Sequence, residues 1–146
     1  MKYELWTDGA CNSTTKVGSW AFVIVKDEKM LEESSGKVLN TTNNRMELQA
    51  VIKGLKRFSP NAHVEVISDS AYVVDCFKNH WYVKWRKMNW HGSSGKEVKN
   101  RDLWEELLDI VAIFDDRITW THVRGHAGHQ WNELCDQLAS RAMKEE

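Results

Sequence analysis

The apolar residues change period partway along the chain, and that change limits the folds open to it more than any other feature. Lys2 to Asp8 alternates and runs into the turn-former Gly9, Ser19 to Val25 is an apolar, β-branched run, and Lys29 to Val38 is a more polar extended stretch. Period-two patterns of this kind form strands. From Thr41 the spacing becomes helical, with Met46, Ala50, Val51, Gly54, Leu55 and Phe58 near one face and Ser59-Pro60 as a stop. His63 to Ile67 then reads as a strand and Ser70 to about Lys78 as a helix. Arg101 to Ala112 is amphipathic through Trp104, Leu107, Leu108 and Val111, Arg117 to Val123 alternates as a last strand, and Gln130 to Lys144 is a last helix. A strand meander followed by alternating strands and helices predicts an α/β fold: a mixed sheet with helices packed on it.

The 146 residues, 42% of them hydrophobic, suffice for one well-buried core and are short for two, so a single domain over 1–146 is expected. No window approaches the roughly 18 consecutive apolar residues of a membrane span. The start, MKYELWTDGA, has neither an apolar signal region nor an Arg-rich transit pattern. A cytoplasmic protein without a membrane partner is therefore expected. Cys11, Cys76 and Cys135 are odd in number and outside any C-x-x-C spacing, which suggests neither a disulfide framework nor a zinc cage. They read as reduced, mostly buried residues.

The formal net charge of −1 conceals a strong asymmetry. Between Lys78 and Arg101, seven basic side chains (Lys78, Lys84, Arg86, Lys87, Lys96, Lys99, Arg101) stand against one acid, Glu97. That segment suggests a local polyanion-binding surface on an otherwise acidic body. Its His91-Gly92-Ser93-Ser94-Gly95 run reads as a flexible loop tip.

Four acids occupy positions that packing alone does not favour. Asp8 and Asp69 end strands, and ligands of open α/β sheets usually sit at strand ends. Glu47 shares its helix's apolar face with Ala50, Val51 and Gly54, and Asp136 shares one with Ala139. An acid on an apolar face is costly unless its charge is compensated. Taken singly, each is equally readable as a cap or a surface acid. Brought together, four carboxylates would repel one another, and one or two divalent cations are the simplest neutraliser, magnesium being favoured by all-oxygen ligands. Such cations can activate water and orient a phosphodiester, so phosphoryl chemistry is the natural destination.

Five runs, YELWTDGAC, TTNNRMELQA, VISDSAYV, the Trp-rich basic segment through KEVKNRDLW, and VRGHAGHQWNELCDQLA, resemble type 1 ribonuclease H in order and spacing over essentially the whole chain. The resemblance implies the ribonuclease H fold, a five-stranded mixed sheet flanked by helices on both faces. It implies a stand-alone endonuclease that cuts the RNA strand of RNA/DNA hybrids by two-metal-ion catalysis, leaving a 5′-phosphate and a 3′-hydroxyl. Metal ligands fall on Asp8, Glu47, Asp69 and Asp136, the acids already singled out, with Mg2+ as cofactor and Mn2+ as a substitute. His126 receives a supporting part in proton transfer or product release, suited to a side chain that titrates near neutrality. His129 is left as a surface loop residue.

The resemblance also implies a basic protrusion at about residues 80–100 that grips the hybrid through Trp81, Lys84, Trp85, Arg86, Lys87, Trp90 and Lys99. Cations neutralise phosphates while aromatic faces pack on sugars or bases. The tryptophans equally serve to hold two short helices together, and Trp85 is expected in the core with Trp81 on the substrate. Asn43 and Asn44 resemble minor-groove readers, and Thr42 and Asn100 part of a pocket for a DNA phosphate. Thr42 or Asn43 is also a natural N-cap for the Glu47 helix.

Three departures from the family pattern stand out. The first turn is Asn12-Ser13-Thr14-Thr15-Lys16-Val17 rather than glycine- and proline-rich, Asn40 stands where an arginine often helps hold the phosphate, and Ala71 where a glutamine often touches the groove. Two rival readings are a non-catalytic hybrid-binding module and a domain related to reverse transcriptases or integrases on the same fold. Concentrated acids facing phosphates argue against the first, and the complete protrusion against the second. A monomer without an obligate protein partner is expected.

Overall fold

The alternation that marks the first third of the chain builds a meander. Strands β1 (Lys2–Cys11), β2 (Gly18–Lys26) and β3 (Lys29–Val38) pair antiparallel in sequence order in the computed structural model, which describes residues 2–125 and 127–145. Asp27 and Glu28 both adopt positive φ, at 51° and 65°, between β2 and β3. A two-residue turn with both φ positive matches the right-handed twist of the strands it joins. The dipeptide Asp-Glu carries little of that signal.

The helical period that follows forms α1 (Asn43–Leu55), after which come β4 (His63–Ser68), α2 (Ala71–Lys78), α3 (Trp81–Lys87), α4 (Arg101–Phe114), β5 (Ile118–His122) and α5 (Gln130–Lys144). Strand β4 pairs parallel with β1 and β5 parallel with β4, which gives the order β3-β2-β1-β4-β5. The sheet is five-stranded and mixed, as expected. No helix among the described residues is long and apolar enough to cross a membrane.

Side-chain alternation divides the core in two. Leu5, Phe22, Ile24, Val64 and Val66 meet Leu48, Val51, Ile52 and Leu55 of α1, Val73 and Phe77 of α2, and Trp104 and Leu107 of α4 on one face. Trp6, Val23, Val25 and Ile67 meet Cys135 and Leu138 of α5 on the other. Strand β2 reads as an unbroken apolar run because both of its faces are covered. Helix α1 buries more than the one face its spacing suggests: Leu48 and Ile52 are fully buried too, because α1 is held between the sheet and α4.

Gly9 is not a turn. It pairs with Trp20 inside β1, which continues to Cys11. Its missing side chain instead lets α1 descend onto the strand: a Cβ there would stand 2.4 Å from Glu47 N and 2.5 Å from Met46 C, closer than atoms can approach. The same contact brings Glu47 towards β1.

The unusual first turn is ordered by its own side chains and backbone, Asn12 foremost. Asn12 Oδ1 accepts the N–H groups of Thr14 at 2.9 Å and Thr15 at 3.0 Å, and Lys16 takes a left-handed φ of 62° before the chain enters β2. An Asx turn thus does locally what glycine and proline do in other sequences. The segment His91–Glu97 is a loop closed at its base: Gly92 N–H donates to Lys96 O at 2.7 Å, and His91 bridges to Glu97.

Candidate active site

Parallel pairing of β1 with β4 stops at Thr7 and Ser68, so Asp8 and Asp69 are the next residues on two adjacent strands. Asp8 therefore does not end its strand. It marks where β1 outruns β4, and it points to the α5 side with Trp6 by strand alternation. Helix α1, lowered onto Gly9, adds Glu47 from the opposite side. Carboxylate oxygens of Asp8, Glu47 and Asp69 all lie within 4.8 Å of one another. Asp136, near the middle of α5, lies close enough for its charge to act on Asp8.

So dense a group of acids is electrostatically unfavourable. Burial first, then the charges of Asp69 and Asp136, push Asp8 up from 3.8 to about 8, although its Oδ1 accepts the Gly9 N–H at 2.9 Å. Burial, followed by the charges of Asp8 and Asp69, holds Glu47 well above the usual carboxylate range. The field reaches farther: burial and then Asp8 and Asp69 keep the Cys135 thiol protonated, and its Sγ donates to Trp6 O at 3.3 Å. Cys76 and Cys135 are buried and Cys11 is half-buried, all three free.

The donor set fits a hard divalent cation. Every ligand atom is an oxygen, and Glu47 Oε1 is buried with no hydrogen-bond partner. A buried acceptor left without a partner is unfavourable, and a cation would satisfy it while offsetting the mutual repulsion. His126 lies outside the described residues. His129 is exposed, with its ring 6.1 Å from that of Trp6.

Beside the acids, Thr42, Asn43 and Asn44 are exposed at the start of α1. Thr42 is the N-cap, accepting the Arg45 N–H at 3.3 Å. Asn100, in the left-handed region at φ 64°, is the N-cap residue of α4 but makes no side-chain cap bond. Its amide donates to Tyr72 OH at 3.2 Å, and its Oδ1 accepts from Arg45 Nη1 at 3.4 Å. Arg45 is clamped in turn by Asp102, at 2.9 and 2.8 Å. Thr42 and Asn100 are thus joined through Arg45, which sequence reasoning passed over. The signal available was a basic residue directly after the two asparagines.

In the protrusion, Lys84, Arg86, Lys87 and Lys99 are exposed, and Trp81 is 38% exposed. The expectation that Trp85 is the core tryptophan is corrected: Trp90 is the deeper, at 8% exposure, with Arg101 5.2 Å above its ring. Trp85 is half-buried between Trp90, at 5.9 Å, and Trp104, at 5.2 Å. The reason lies in the chain path: the Trp90 N–H donates to Trp85 O and its carbonyl accepts from Val98, so the backbone turns Trp90 inward.

A family model for RNase H matches residues 1–144. The chain belongs to the ribonuclease H family. Relatives named ribonuclease H include that of Thermoanaerobacter sp. strain X514, 46% identical over 142 residues, which are 97% of this chain and 89% of that protein. The ribonuclease H of Caldanaerobacter subterraneus subsp. tengcongensis is 43% identical over 141 residues, covering 97% and 90% of the two chains. The fold agrees with the crystal structure of LC9-RNase H1, described as a type 1 RNase H with the type 2 active-site motif. The TM-score is 0.82 and the identity 26%, with 98% of this chain and 72% of that one covered. This ribonuclease H is accordingly a hydrolase and a nuclease, with an acidic group suited to a divalent metal at the point where β1 and β4 part.

Proposed function

We propose that this ribonuclease H is an endonuclease that hydrolyses the RNA strand of RNA/DNA hybrids, leaving a 5′-phosphate and a 3′-hydroxyl. Asp8, Glu47, Asp69 and Asp136 would hold its metal, Mg2+ with Mn2+ as substitute and two ions in the presence of substrate. The observation that carries the reading is the gathering of three carboxylates within 4.8 Å around the unpartnered Oε1 of Glu47. A pure binding module gains nothing from such a group, because it repels phosphate. When bound, divalent cations supply an activated water and offset charge at an in-line phosphoryl displacement.

The protein's own residues orient the substrate. Asn43 and Asn44 face the groove of the hybrid, where amides can address base edges and 2′-hydroxyls. Thr42 and Asn100, linked by Arg45, form the seat for a DNA phosphate. Trp81, Lys84, Trp85, Arg86, Lys87, Trp90 and Lys99 form the outer grip. Exposed cations contact phosphates there and Trp81 offers an aromatic face, while Trp85 and Trp90 hold the protrusion on Trp104. His126 would carry a proton or assist product release. The same reading takes residues 1–146 as one domain and a cytoplasmic monomer whose only required partner is the hybrid, an association state that sedimentation checks directly.

The test is cleavage of a labelled RNA strand presented in an RNA/DNA hybrid, in duplex RNA and alone, with Mg2+ and with chelator. Mg2+-dependent cutting of the hybrid alone is expected. Tight hybrid binding with no cutting under any divalent metal would refute the proposal in favour of an accessory module.

A further inference from the structure

The end of β5 and the segment that follows it are pinned to the β4 end by three contacts. Val123 N–H donates to Ser68 O at 3.0 Å, extending the parallel pairing by one residue. The His122 ring then meets Asp69 O at 3.1 Å through Nε2. Because a carbonyl only accepts, Nε2 carries the hydrogen. Finally, the half-buried Gly125 lies directly against the Asp69 carboxylate: a Cβ built at 125 would stand 2.9 Å from Asp69 Oδ2 and 3.6 Å from its Cβ and Cγ. Nothing about φ demands glycine here, since Gly125 is not among the positive-φ residues. What demands it is the acid next door.

We propose that Gly125 and His122 are positioning residues for Asp69, the first by leaving free the space its carboxylate occupies and the second as a tether on its backbone. The inference rests on the reading of Asp69 as a metal ligand. Substituting Gly125 with alanine meets only the tip of a side chain, which can rotate away, so the fold tolerates it. A cation that requires near-ideal octahedral geometry does not tolerate a ligand moved by a few tenths of an ångström. Ca2+, with longer and more adaptable coordination, is affected less. The contact therefore separates stability from metal selectivity, a separation that a merely structural glycine does not produce.

The experiment titrates the free protein with Mg2+ and with Ca2+, followed by amide NMR, and records the melting temperature in chelator. Wild type is compared with Gly125→Ala, His122→Phe, Gly92→Ala and Asp69→Asn. Gly92 is the control, since its nearest neighbour to a built Cβ is 3.7 Å away. Gly125→Ala is expected to lose about tenfold or more in Mg2+ affinity, the range typical of residues that support metal ligands, with a smaller loss for Ca2+ and little change in melting. His122→Phe keeps the ring and removes the donor, so a smaller loss in the same direction is expected. Mg2+ affinity unchanged in both variants, while Asp69→Asn loses it, overturns the positioning role alone. Mg2+ affinity retained by Asp69→Asn overturns the metal reading of Asp69 and this inference with it.

Discussion

Replacing Asp8 with asparagine should make the metal-free protein more stable, and the gain should depend on pH in a calculable way. Asp8 ionises near 3.8 when unfolded but at about 8 in the fold, chiefly because it is buried and secondarily because Asp69 and Asp136 face it. Below pH 4 both states hold the proton and the carboxyl costs nothing. As pH rises from 4 towards 8, the unfolded chain releases the proton while the folded one keeps it, so stability falls through that window and levels off above it. At pH 7 the penalty is about 4 kcal/mol, taking about 1.4 kcal/mol per pH unit above the unfolded value. The side chain introduced by Asp8→Asn retains an acceptor for the Gly9 N–H and carries no charge. For a domain of this size the gain corresponds to a rise in melting temperature on the order of 10 °C. Thermal melts in chelator from pH 4 to 9 provide the assay, with the two curves converging at the acid end. Added Mg2+ should raise the wild type and leave Asp8→Asn nearly unmoved, because only the native cluster gains by binding. Parallel wild-type and variant curves across the whole pH range would refute the reasoning.

Other substitutions probe other links. Asp69→Asn should abolish hybrid cleavage while preserving or tightening hybrid binding, measured by gel shift; near-normal cutting would sink the metal-site reading. Gly9→Ala forces a methyl into the backbone of Glu47 and Met46, where no flexible side-chain tip can yield. It should destabilise by about 3 kcal/mol or more, seen in denaturant titration, with activity falling as Glu47 is displaced. Arg45→Ala frees Asn100 and opens the Asp102 clamp. KM should rise several-fold with kcat nearly intact, an effect that shrinks in high salt because a phosphate contact is involved. Trp81→Ala should weaken hybrid binding without altering the melting temperature, whereas Trp90→Ala should cost about 3 kcal/mol of stability, as loss of a buried tryptophan does.

Much of the site is legible in the sequence because chemistry constrains composition locally. An acid among Ala50, Val51 and Gly54 contradicts the apolar face it sits on, and the contradiction is visible without coordinates. Period two and period 3.6 likewise locate the five strands and the long helices to within a few residues, with α5 spanning Gln130–Lys144 as its spacing predicts. Arg45 carries no such mark, because nothing in its neighbours forecasts that Asp102, far along the chain, will hold it against Asn100. Trp85 and Trp90 are hard to rank for a related reason. Both lie in a polar stretch without usable periodicity, and backbone bonds to Trp85 and Val98 decide which ring turns inward.

What the sequence by itself determined was the inventory: an α/β sheet, two acids at strand ends and two on apolar helix faces, and a basic, Trp-rich segment. The tertiary structure decided how these meet. Gly9 reads alone as a turn, yet its purpose emerges only when α1 is seen lying on it, and Gly125 carries no message until Asp69 stands against it. Both glycines act by what they leave out, and the space left by a missing side chain is defined by residues distant in sequence.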